Sequence, residues 1–236
     1  MITLEKIDRE LINIADDHIL SNNIVGITVQ IDSHGIAKHS ALLIGVEGDY
    51  SLFHYDSYDV LLENPSPTDK WFFCKSLDFI NAEEFSLNFL AHCMIIMNED
   101  PPEYGFLFDG SYYTSEGKYF TDSGIRNFTT CVGFCIKVLA GFIQNYDGYF
   151  ELGDWDEDSM KSIEIQASDY FKTFFKTIQS LHPNITEEEF RKYYKRITPS
   201  EYVASAYLSE FPIRKNSIDL IIQNVEVSIK GKRLSA

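Results

Sequence analysis

Two histidines, an aspartate and a cysteine stand in settings suited to proton transfer and nucleophilic attack: His39, His54, Asp56 and Cys131. The stretch from Lys38 to Ser57 reads as a β-hairpin, with Val46-Glu47-Gly48-Asp49 as its turn. With that turn, Gly45 faces Tyr50, and counting outward puts His39 opposite Asp56. Facing residues on antiparallel strands hold their Cβ atoms within about 5.5 Å of each other. A carboxylate there accepts the Nδ1 proton of the imidazole, fixes its tautomer and supports a positive ring. His54 lies two residues before Asp56 and shares its face, so it is a rival orienting group. Taken alone, such a pair also fits a half-buried hairpin with no chemistry.

Cys131 lies in Asn127-Phe128-Thr129-Thr130-Cys131-Val132-Gly133-Phe134, at the start of an apolar helix. Free N–H groups and the helix dipole lower a thiol pKa at that position, and a nearby His lowers it further. Cys135 lies one turn in and reads as the weaker, buried nucleophile. Cys74 and Cys93 read as small apolar core residues. Asn127 is a candidate side-chain amide for stabilising an oxyanion. No His or Cys pair follows Cys131 and Cys135 at metal-site spacing. Asp154, Asp156, Glu157 and Asp158 lack the twelve-residue calcium-loop pattern, and no Gly-rich phosphate loop occurs. The expectation is therefore no metal and no cofactor.

The elements that must position these groups follow from hydrophobic periodicity. Spacing of Leu4, Ile7, Leu11, Ile14 and His18 predicts a helix over 3–19. Strands are expected over 27–31, 36–45 and 50–56, with a further short strand beginning at 71–74. Asn64-Pro65-Ser66-Pro67 reads as a loop. An apolar helix is expected over 82–97, ended by Asp100-Pro101-Pro102, followed by loops and a short strand pair over 101–128. The Cys131 helix should run to 146, capped by Thr129 or Thr130. After an acidic connection over 147–158, a helix is expected over 160–180. Capping patterns at Thr186 and Thr198-Pro199 open two more, and 217–229 reads as a final strand. The fold class is α+β: a central mixed or antiparallel sheet flanked by helices, plus a C-terminal helical region. The expected division is a catalytic core over 1–150 and a helical accessory region over 151–236, packed on the core.

Composition narrows the partners. The chain has 236 residues, 44% hydrophobic and 14% aromatic, enough for a substantial core. Its formal net charge is −16, which argues against nucleic acid or an anionic membrane as the main partner. Residues 1–153 carry 23 acidic and only 8 basic side chains, a distribution suited to a basic partner. No apolar run is long enough to span a bilayer and no secretory signal opens the chain. Expected locations are the cytoplasm, or a host cell reached without a cleaved signal peptide.

The order His, Asp, Cys resembles the CE clan of cysteine proteases, which includes ubiquitin-like-protein proteases, the adenovirus protease and bacterial effector deubiquitinases. The stretch corresponding to the clan pattern H-W…Y-x-D-S is His39-Ser40 followed by Phe53-His54-Tyr55-Asp56-Ser57. Its N-x-x-D-C-G-x-F is matched by residues 127–134. The resemblance covers roughly residues 25–145 and implies a papain-like core with a His39–Asp56–Cys131 triad. It further implies removal of ubiquitin or a ubiquitin-like modifier from conjugates. Departures are Ile125 where the clan has Gln, Ser40 where it has Trp, and a displaced Gly133. SidE-type effector deubiquitinases are similar in having an Asn close before the Cys, as Asn127 is here.

A second resemblance is to circularly permuted papain-like hydrolases, including LRAT-type acyltransferases. These also run His before Cys, and on that pattern His54 is the third residue. Both resemblances share His39 and Cys131. YopJ-type acetyltransferases use the same Cys to carry an acetyl group but need a basic pocket, which this charge distribution disfavours. A catalytically inactive binding or immunity-type protein on the same scaffold is the non-enzyme alternative.

Overall fold

The computed structural model describes residues 2–15, 20–65, 72–143, 148–155 and 157–235. His18, Ser66, Pro67, Trp71, Asp147 and Asp156 lie outside the described residues. So do the end of the helix expected to reach 146 and the side chains of Glu157 and Asp158.

In chain order, α1 (Leu4–Glu10) and β1 (Ile12–Asn13) precede the hairpin strands β2 (Ile24–Ile31), β3 (Ala37–Val46), β4 (Asp49–Tyr55) and β5 (Val60–Glu63). Next come β6 (Phe72–Ser76) and α2 (Ala82–Ile96). Four two-residue strands follow: β7 (Glu103–Tyr104), β8 (Tyr112–Tyr113), β9 (Tyr119–Phe120) and β10 (Phe128–Thr129). The rest is helical: α3 (Cys131–Phe142), α4 (Glu157–Leu181), α5 (Glu187–Tyr193), α6 (Pro199–Ser205), α7 (Lys215–Asp219) and α8 (Ile222–Ser235).

The main sheet has the order β1-β6-β2-β3-β4-β5, and every pairing in it is antiparallel. Alternation along the strands divides its residues between two faces. Val25, Ile27, Val29, Leu42, Ile44 and Phe53 enter the main core beneath α2, α3 and α6. Ile24, Ala41, Leu43, Leu52 and Phe72 form a smaller cluster on the other face. The main core runs from Ile7 to Ile229 and includes Tyr202, Val225 and other residues beyond 150. A separate aromatic cluster packs Phe171, Phe174 and Ile178 of α4 against Phe190 of α5 and Phe128.

Two expectations are corrected. The helix expected over 3–19 ends at Leu11, whose backbone is already extended. Ile7 and Leu11 belong to the main core, whereas Ile14 and Leu20 belong to the cluster on the other face of the sheet. One straight helix cannot serve both, so the chain passes into β1 at the sheet edge. Residues 217–229 are helical, in α7 and α8. Their buried positions Ile218, Ile221, Val225 and Ile229 recur every three or four residues, the helical period. The capping boxes at Thr186 and Thr198 are both formed.

The hairpin turn has positive φ at Glu47 (54°) and Gly48 (92°), the two-residue geometry that suits strand twist. It sets the register Gly45↔Tyr50, so that counting outward brings His39 level with Asp56. Helix α3 lies so close to β8 that a Cβ on Gly141 would run into the Tyr113 carbonyl oxygen. Helix propensity favours Ala over Gly by about 1 kcal/mol, but overpacking costs about 1–3 kcal/mol and more when backbone must shift. Gly141→Ala is therefore expected to destabilise the fold by a net ~2 kcal/mol, read from the urea midpoint. A stabilised variant would contradict this packing.

Candidate active site

The ordered ladder between β3 and β4 stops at Leu42↔Phe53, although both strands run on. Past that point the backbone of Ser40 lacks a β4 partner, and the first turn of α3 takes its place. Cys135 Sγ lies 3.9 Å from the Ser40 carbonyl oxygen. The Ser40 backbone also faces the sulfur of Cys131, one turn earlier, and favours its charged form. The half-buried Cys131 is thus seated on the residue next to His39.

Thr130 positions that turn. It is extended, and its side chain accepts from Gly133 N at 3.1 Å as the N-cap of α3. Gly133 is required by crowding, since a Cβ there would lie 2.5 Å from Thr129 Oγ1. Upstream, β10 pairs with β7 in parallel, which sets Thr129 beside Tyr104. Tyr104, about half exposed, lies close enough to Cys131 to feel its charge.

His39 is joined to His54. Its Nε2 lies 3.0 Å from His54 Nδ1, with the two rings edge to face. His54 is buried, and its Nε2 lies 3.1 Å from Glu63 Oε1 on β5. The arrangement fixes both neutral tautomers by elimination. A carboxylate only accepts, so His54 donates from Nε2 and offers a bare Nδ1. His39 must then donate from Nε2, which leaves its Nδ1 as a bare, basic nitrogen. The Cys131 thiol and the His39 ring are not hydrogen-bonded to one another.

Asp56 is engaged elsewhere. Its Oδ1 accepts from Tyr58 N and Asp59 N, both at 2.9 Å, closing the turn between β4 and β5. Backbone hydrogen bonds at Asp59 and Tyr58 hold its carboxyl below the ordinary range. Its charge reaches His39 through space rather than through a hydrogen bond. Asn127 is also committed: its Nδ2 donates to Tyr113 Oη at 2.9 Å, and its Oδ1 accepts from Lys137 Nζ at 3.0 Å. Lys137 additionally donates to the Phe128 carbonyl at 2.9 Å. Backbone N–H groups of Cys131 and Val132 face the sulfur instead.

Glu63 was missed by sequence reasoning, which centred on the hairpin. The signal was present: Val60-Leu61-Leu62 is an apolar run between Asp59 and Asn64-Pro65. It forms β5, with Glu63 opposite Leu52 and diagonal to His54.

The titration behaviour departs from the helix-start expectation. Burial pushes the Cys131 thiol up, opposed by backbone hydrogen bonds from Ser40 and Val132. Burial also pulls His39 down to about 4, reinforced by repulsion from His54 and opposed by Asp56. Desolvation outweighs the helix dipole here, and the resting pair is a neutral thiol and a neutral imidazole. Lys137 is likewise brought down to about 8 by burial, with Asp109 pulling the other way. Among the described residues, no group of three or more His, Cys, Asp or Glu is arranged to hold a metal. No helix among them is long and apolar enough to cross a membrane.

Comparison with known proteins returns no match to the chain among protein-family models, curated proteins or solved structures.

His39 binds its proton more weakly folded than unfolded. Its neutral form therefore adds stability that is complete above the unfolded value near 6.5 and is lost as pH falls through about 4. Urea unfolding of the wild type and of His39→Gln, stepped from pH 7.5 to 4.5, is expected to show the steeper loss in the wild type. Parallel curves would refute the buried neutral imidazole.

Proposed function

We propose that the chain is a thiol-dependent acyl hydrolase or acyltransferase with a papain-like core in the permuted order, His before Cys. The observation that carries this reading is the Glu63–His54–His39 chain on β3, β4 and β5, one residue along β3 from Ser40, whose backbone meets α3 at Cys131 and Cys135. Cys131 is the nucleophile, His39 the general base, His54 the positioning residue and Glu63 its anchor. Thiol–imidazole bonds that are open in a free enzyme tighten when substrate binds.

In this mechanism the Cys131 proton passes to His39 Nδ1 as sulfur bonds to the carbonyl carbon. Glu63, acting through His54, supports the imidazolium that forms. Backbone N–H groups of Cys131 and Val132, which flank the sulfur, are the donors this mechanism offers to the developing oxyanion. Collapse breaks the bond to the leaving group, which takes the proton back from His39. Water, or an acceptor amine or alcohol, then attacks the thioester in the same way, frees the acyl group and restores the thiol.

Acidic charge over residues 1–153 favours a basic substrate protein. Cleavage of ubiquitin or a ubiquitin-like modifier from its conjugates is the second reading, with Asp56 in the orienting role. The two readings separate experimentally. A fluorogenic short-chain acyl thioester and fluorogenic ubiquitin and SUMO conjugates are assayed with the wild type and four variants. Cys131→Ala is expected to abolish turnover. His54→Ala should lower kcat/KM by ~10²–10⁴-fold, the range of a lost acid–base partner. Glu63→Gln should cost about 10–100-fold, the worth of one charged hydrogen bond, and Asp56→Asn only a few-fold. Turnover of ubiquitin with a larger loss in Asp56→Asn than in His54→Ala would transfer the site to the isopeptidase pattern. Turnover of either substrate that survives undiminished in Cys131→Ala would refute both readings.

A further inference from the structure

Helix α2 is apolar on the wrong side as well as the right one. Phe89, Cys93 and Ile96 enter the main core. On the opposite face Leu87, Ala91, Met94 and Ile95 recur at helical spacing and stand in solvent. Leu87 is 61% exposed and Met94 49%. Isolated exposed apolar residues are ordinary, but a continuous stripe along two turns marks a contact surface.

A second, independent feature borders this stripe. A concavity of about 290 Å³ is lined by Asn88, Ala91, His92, Ile95, Ser115 and Phe142. Ala91 and Ile95 belong to both features. His92 is more than nine-tenths buried, and its Nε2 has no hydrogen-bond partner. Burial pulls this imidazole down, against a raising pull from the Val138 backbone. The ring is therefore neutral at physiological pH, and the nitrogen away from Val138 is a bare acceptor. An unpaired buried acceptor in a native fold calls for an explanation.

Charge selects the partner. Glu83 and Glu84 stand at one end of the stripe and Glu99 and Asp100 at the other. The neighbouring cation, Lys118, is bonded to Glu99 at 2.6 Å. Two copies of α2 laid side by side in either direction would set acid against acid. An anionic bilayer is repelled for the same reason. We propose that the outer face of α2 docks a basic amphipathic helix of a partner protein, which lays its apolar side along Leu87, Ala91 and Met94 and seats a cationic donor at His92. This surface is independent of the chemistry proposed for Cys131.

The test uses the whole chain and a fluorescein-labelled 18-residue Leu–Lys amphipathic peptide, read by fluorescence anisotropy. Saturable binding is expected to weaken when NaCl is raised from 50 to 300 mM. Leu87→Asp and Met94→Asp, both at exposed positions, should each weaken it about tenfold or more. His92→Phe should weaken it at least threefold with the melting temperature unchanged or raised, because a buried unpaired acceptor is removed. A merely structural histidine would give the reverse: lower melting temperature, unchanged binding. Absence of saturable binding, or binding indifferent to Leu87→Asp and Met94→Asp, would overturn the proposal. Light scattering that finds a dimer dissociated by Leu87→Asp would assign the surface to a second copy instead. Leu87-dependent capture by phosphatidylserine vesicles would assign it to a membrane.

Discussion

Everything at the candidate site depends on the seam where β4 leaves β3 and the first turn of α3 takes over the backbone of Ser40. A strand that loses its neighbour exposes N–H and C=O groups that need partners. Here two cysteines one helical turn apart supply soft ones. Docking a helix end onto a freed strand edge brings Cys131, at a helix start, against the backbone of Ser40, although the two are 91 positions apart in the chain. Asp56 is bonded into the turn between β4 and β5, so the residue level with His39 by count is not its hydrogen-bond partner.

The electrostatics follow from that packing. A helix start lowers a thiol pKa only while water or a counter-charge is near. Cys131 and His39 are both half-buried, and burial drives both toward their neutral forms. The carboxylate in line with His39 is that of Glu63, two hydrogen bonds away through His54. Asp56 is nearer in sequence, but its backbone donors hold it in the turn. A short Asp two or three residues before free N–H groups closes an Asx-type turn in preference to reaching across a strand.

Support for the segment leading into Cys131 comes from a buried polar network rather than from the core alone. Lys137 on α3 ties down Asn127 and Phe128, and Asn127 ties down Tyr113. Asp109, which receives hydrogen bonds from Ser123 at 2.5 Å and Thr121 at 2.7 Å, supplies the counter-charge. The segment leading into Cys131 is therefore held by α3 itself, and the amide of Asn127 serves the scaffold. Removing one member of such a network leaves the others buried and unpaired, which is why it acts as a unit.

Local signals alone determined much of this protein. The α+β class, the hairpin with its two-residue turn and its register, α2, the start of α3 at a Thr cap, and both capping boxes follow from period, turn chemistry and short-range hydrogen bonding. His39, His54 and Cys131 were also visible as candidates. What the tertiary structure decided involved choices among partners at long range. A 3–4 spacing over residues 3–19 was real, but its two halves serve opposite sheet faces, and only the assembled sheet makes one helix impossible. The loose alternation over 217–229 concealed a helical period that the core at Ile218, Val225 and Ile229 selects. His54 rather than Asp56 meets His39 because Glu63, brought in by a strand the hairpin cannot foresee, anchors it from behind. Sequence spacing sets which side chains share a face; only packing sets which of them are dry, paired and therefore held.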